Sequence, residues 1–83
     1  MENEKLYNLG QRIRYFRNKL DLSQEALAFK CEVDRTYISL LERGKGNPSL
    51  LNLLKISNGL EISLSKLFAE MSQFNNIESK GKL

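Results

Sequence analysis

An 83-residue chain that is 41% hydrophobic and 28% charged can bury one core, with too little length for a second, ligand-sensing module and too much apolar content for disorder. One cysteine excludes an internal disulfide, and with no histidine beside it a metal site is improbable, so no cofactor is expected. Thirteen basic against ten acidic residues leave a net charge of +3, which agrees with a polyanionic partner without demanding one.

Charge interrupts every apolar run, and the opening MENEKLYN has no basic-then-apolar order, so neither a membrane span nor a secretory leader is expected and the chain should stay in the cytoplasm. Residues 1–4 carry no pattern and read as an arm. From Lys5, the residues Leu6, Leu9, Ile13, Phe16 and Leu20 fall at steps of three and four, which predicts a helix buried along one face and stopped by Asp21. Arg12, Arg14 and Arg17 lie off that stripe and are expected to face solvent or phosphate.

Two short helices and a tight turn come next. Leu22, Leu27, Ala28 and Cys31 keep helical spacing, Glu32-Val33-Asp34 interrupts, and Ile38 and Leu41 resume a second stripe. Ser23 and Asp34 are the expected caps, and Gly44 suits the left-handed residue that closes the second helix. This is a helix-turn-helix pattern, with Cys31 as a small buried side chain. Arg35, Thr36, Tyr37, Ser39, Leu40 and Arg43 are left on the outer circumference. Glu42 is expected to pair with Arg12 or Arg14, and Tyr7, Tyr15 and Phe29 are read as packing or surface residues.

After the turn GKGNPS, Pro48 is placed in the first turn of a fourth helix, with Asn47 or Ser49 as its cap. Leu50, Leu53, Leu54, Ile56 and Leu60 give that helix a wide apolar face, Leu51 adds to it, and Gly59 weakens its last turn. Ser63 caps a fifth helix carrying Leu64, Leu67, Phe68 and Met71. The domain is drawn at residues 1–74, with 75–83 as a frayed tail. No strand-like alternation or repeat interrupts this all-α, five-helix reading.

The run SQEALAFKCEVDRTYISLLERGKGNPSLLNLLKIS resembles the phage-repressor class of helix-turn-helix domains, the XRE or Cro/C1 family, over roughly residues 6–72. SQE, ERGK and NPSL carry the likeness most clearly, while DRTYIS with LER after it, and GLEIS, look most like the controller proteins of restriction-modification systems. The resemblance implies a compact lambda-repressor-like bundle with its helix-turn-helix at helices 2 and 3. It also implies a homodimeric regulator that binds operator DNA, controls its own promoter and times endonuclease expression after methylase.

The residues themselves offer a mechanism for such binding. The major groove admits one helix and presents a distinct pattern of base edges. On helix 3, Arg35 would pair with a guanine edge, Thr36 and Ser39 would supply hydroxyls, and Tyr37 would lie along the sugar-phosphate wall. Leu40 would touch thymine or be covered by a neighbouring helix. Gln24 opens helix 2, where free amides suit a phosphate, and Arg43, Lys45 and Asn47 would hold the opposite strand. The family pattern implies contacts at Gln24, Arg35, Thr36, Ser39, Arg43 and Asn47.

One motif spans too few base pairs for selective binding, so two copies on a two-fold axis are expected, with two dimers on adjacent sites as a further step. Leu51, Ile62, Leu64, Phe68 and Phe74 are assigned to the dimer surface. The rival readings are a general phage-type or plasmid repressor and an antitoxin-like interaction module. An enzyme is the weakest option, because no acid, base and nucleophile stand at recognisable spacing.

Overall fold

In the computed structural model, which describes residues 3–69, the first apolar stripe becomes α1 (Glu4–Lys19). It begins inside the expected arm because the Asn3 side chain accepts hydrogen bonds from the amides of Lys5 and Leu6. The helix-turn-helix follows as α2 (Gln24–Cys31) and α3 (Arg35–Glu42), then α4 (Leu50–Gly59) and α5 (Leu64–Phe68). This is the expected all-α, five-helix fold, with no strand among the described residues. None of their helices is long and apolar enough to cross a membrane. Met71, Phe74, the boundary at 74 and the tail 75–83 lie outside the described residues.

Serines start three of these helices. The hydroxyls of Ser23, Ser49 and Ser63 accept from the amides of Ala26, Asn52 and Lys66 at 3.0, 3.2 and 3.0 Å. Asp34 takes the cap position of α3, yet its exposed carboxylate makes no capping hydrogen bond, contrary to expectation. Pro48 stands one residue before the Ser49 cap rather than inside the first turn. There it disfavours a helical Asn47, so the loop approaches α4 already extended.

α1, α2, α3 and α4 all end the same way. The amides of Leu22, Val33, Lys45 and Ile62 donate to the carbonyls of Arg17, Ala28, Leu40 and Ser57, each five residues back. The residue just before each donor is left-handed: Asp21 (φ 61°), Glu32 (φ 60°), Gly44 (φ 76°) and Glu61 (φ 61°). Where that residue is acidic, the next is apolar, and Leu22, Val33 and Ile62 fold onto the core.

The core joins Leu9, Ile13 and Phe16 of α1 to Leu27, Ala28 and Cys31 of α2, Ile38 and Leu41 of α3, Ile56 and Leu60 of and after α4, and Leu67 of α5. Burial pushes the Cys31 thiol above its ordinary pKa. α1 packs on α3 and α5, α2 on α3 and α4, and α4 on α5. Two of these crossings are so close that a methyl group would not fit. A Cβ on Gly10 would lie 2.1 Å from the Leu41 carbonyl oxygen, and one on Gly59 would lie 2.3 Å from Cys31 Sγ. Gly59 is therefore the point where α2 and α4 touch, a role beyond the weakened last turn expected of it.

The apolar face of α4 is narrower than its leucines suggest. Ile56 is fully buried and Leu53 half-buried, but Leu50 and Leu51 are each 64% exposed and Leu54 is 42% exposed. These three fall at i, i+1 and i+4, one sector of the helix, pointing away from the core.

Candidate nucleic-acid interface

The approach of α3 to α1 decides how the motif is braced. Gly10 lets the Leu41–Glu42 backbone press against α1, and Arg17, one helical step of seven further along the same face, then reaches Glu42. Arg17 Nε and Nη2 donate to the two Glu42 carboxylate oxygens at 2.6 and 3.0 Å, and Nη1 donates to the Leu22 carbonyl at 2.8 Å. Both side chains are buried, at 11% and 2% exposure. Glu42 was expected to pair with Arg12 or Arg14, and Arg17 was expected to face outward; both expectations are corrected. Ile13 and Gly10 carry Arg17 on the buried edge of their stripe, whereas Arg14 is exposed. Arg12 is turned to the other end of the bundle, where it donates to the carbonyls of Lys66 and Leu67 and lies 5.0 Å from the Phe16 ring centroid.

The same carboxylate also holds the start of α2. Gln24 Nε2 donates to Glu42 Oε1 at 3.1 Å, so the first residue of α2, the last of α3 and the last turn of α1 share one hydrogen-bond network. Glu42 is the only acid within α3, and it is turned inward and neutralised. The outer face of α3 therefore presents cations and hydroxyls without a competing carboxylate of its own.

On that face, Arg35 and Thr36 are exposed in the first turn, and Ser39 and Leu40 are half-buried. Arg35, Ser39 and Arg43 recur at every fourth residue, so they line one stripe from the start of α3 to its C-cap. Arg43 Nε donates to the Ser39 carbonyl at 3.3 Å, which lays its side chain back along the helix. Lys45 and Asn47 are exposed in the α3–α4 loop. Tyr37 is half-buried, packs against the core and has its hydroxyl bonded to Asn52 of α4. Of the residues assigned to the dimer surface, Leu51 is exposed, whereas Ile62, Leu64 and Phe68 are half-buried against the core; Phe74 lies outside the described residues.

Sequence reading missed Arg17 and Asn52, and it placed Leu50 and Leu54 on the buried side. A signal existed for Arg17, which stands four residues after Ile13 and seven after Gly10. No local pattern marked Asn52, because its partner Tyr37 stands 15 positions away on another helix. Among the described residues no group of three or more acidic or cysteine side chains could hold a metal.

The chain matches the helix-turn-helix family model over residues 13–67. It is 46% identical over 72 residues to the control protein C.MunI of a Mycoplasma species, covering 86% of this chain and 97% of that one. The structure of the restriction-modification controller protein C.AhdI from Aeromonas hydrophila superposes with a TM-score of 0.78 at 44% identity, covering 80% of this chain and all of that one. The controller protein C.Esp1396I, seen as a tetramer on its natural 35-base-pair operator, superposes with a TM-score of 0.79 at 35% identity over 87% of this chain and 95% of its own.

Proposed function

The chain belongs to the helix-turn-helix family and, within it, to the restriction-modification controller proteins, and on that premise we propose that it is a homodimeric regulator that binds operator DNA. It controls transcription of its own promoter and sets the timing of endonuclease expression, acting in the cytoplasm. α3 enters the major groove. Arg35 reads a guanine edge, Thr36, Ser39 and Leu40 read neighbouring positions, and Tyr37 meets the strand wall. Gln24, Arg43, Lys45 and Asn47 contact phosphates and set the register.

The observation that carries this reading is the polarity of α3. Its single acid is withdrawn into the Arg17 pair, leaving Arg35, Thr36, Ser39 and Arg43 along an uninterrupted outer stripe. Two such stripes on a two-fold axis would read half-sites about 34 to 36 Å apart. The tetramer that C.Esp1396I forms on its operator supports a second dimer on an adjacent site here too.

Selection of bound fragments from a random duplex pool, followed by footprinting, tests the reading. A two-fold symmetric site should be enriched, and Arg35→Ala should lose about 5- to 150-fold in affinity for it while keeping most of its affinity for random duplex. Gln24→Ala or Lys45→Ala should weaken both duplexes alike; for Lys45→Ala the salt dependence should also become shallower. Failure of the wild-type chain to enrich any duplex would remove the function.

A further inference from the structure

The third residue of α3 meets the first turn of α4. Tyr37 packs its half-buried ring against the core, and Asn52 Nδ2 donates to its hydroxyl oxygen at 3.0 Å. An amide nitrogen can only donate, so the phenol oxygen serves as acceptor toward Asn52. The phenol's own proton must then point away from Asn52. A ring held by packing and a hydroxyl held by one bond leave little freedom to lose when a ligand arrives.

We propose that Asn52 is a positioning residue for DNA recognition: it sets the Tyr37 hydroxyl as a hydrogen-bond donor directed at a phosphate oxygen. The proposal rests on the DNA-binding reading above and adds a polarity to it. A phosphate oxygen only accepts, so a donating phenol complements it, whereas a phenol whose proton is spent inside the protein would face it lone pair to lone pair.

Asn52→Asp reverses that polarity with little change of shape. The carboxylate accepts the phenol proton and turns the Tyr37 oxygen into an acceptor. The substitution should not harm the fold, because position 52 is the third residue of α4, after the Ser49 cap, where a carboxylate favours the helix N-terminus. The added negative charge alone would also weaken DNA binding, so the measurement is a double-mutant cycle with Tyr37→Phe.

The probe is the duplex that the wild-type chain enriches from a random pool, with affinity and thermal midpoint measured for each variant. Tyr37→Phe should lose about 3- to 10-fold in affinity. Asn52→Asp should lose more than about tenfold while its thermal midpoint holds or rises; in the Tyr37→Phe background the same change should cost at least about threefold less. Equal losses in both backgrounds, or full affinity for Tyr37→Phe, would overturn the assignment of Asn52 while leaving the DNA-binding reading in place. Absence of any enriched duplex would instead strike that reading first.

Discussion

Arg17 shows how much of the motif rests on one side chain. Its guanidinium satisfies both oxygens of a carboxylate that is 2% exposed and also bonds the turn between α1 and α2. Taking away one partner of a buried pair leaves a charge in a poorly solvated place, at a cost of about 3 to 5 kcal/mol. Arg17→Ala should therefore lower the urea midpoint of unfolding sharply. The double change Arg17→Met with Glu42→Met, which removes both charges and keeps the volume, should recover most of the loss. It would also release Gln24 from Glu42, so stability would return before phosphate contact did. An unshifted midpoint for Arg17→Ala would mean that the pair is solvated in solution and does not brace the motif.

Among the elements, the helix ends and crossings are what hold the short helices in place. Asp21, Glu32 and Glu61 occupy left-handed backbone where a Cβ is disfavoured by about 1 to 2 kcal/mol. Both Glu32 and Glu61 are exposed, but Glu61 also bonds Lys30 at 2.6 Å, which makes Glu32 the cleaner test. Glu32→Gly should stabilise the domain by about 0.5 to 1 kcal/mol after the greater freedom of glycine in the unfolded chain is subtracted. Gly44→Ala should do the reverse, since its φ is 76° and its Cβ would meet the Tyr7 backbone at 2.7 Å. Thermal melting of the two variants should move in opposite directions; a shared direction would contradict the strain argument. At the α2–α4 crossing, Gly59→Ala should cost about 1 to 3 kcal/mol, because its methyl group would collide with Cys31 Sγ. Cys31→Ala in the same chain should restore part of that stability, and a double variant no better than Gly59→Ala would show that backbone contact dominates the clash.

The whole molecule leaves Leu50, Leu51 and Leu54 on one outward sector of α4, and Ile62, Leu64 and Phe68 at and before α5 are only half covered by the core. Single exposed leucines are ordinary, but three on one sector of one short helix suit burial in a second copy. The dimer expected at α4 and α5 would then use Leu50 and Leu54 in addition to Leu51. Leu51→Glu with Leu54→Glu should give monomers in sedimentation and a footprint shortened to one half-site, with no loss of thermal stability beyond that of the lost association. A dimer that survives both changes would place the two-fold axis elsewhere.

Periodicity and capping chemistry are local, so five helices, the helix-turn-helix at α2 and α3, the serine caps and the left-handed Gly44 could all be read from the chain. The strings SQE, ERGK, NPSL and DRTYIS likewise pointed to the family that the comparisons then showed. Other features depended on which helix covers which sector of its neighbour. Arg17 reaches Glu42 across 25 positions of sequence, Asn52 reaches Tyr37 across 15, and Gly59 meets Cys31 at a crossing of two helices. A helical repeat places a side chain at an angle around its own axis; the tilt and spacing of remote helices decide whether that angle faces a carboxylate, a phenol or water. For the same reason Leu50 and Leu54, apolar at helical spacing and indistinguishable in the chain from core residues, were assigned to the surface by the fold alone.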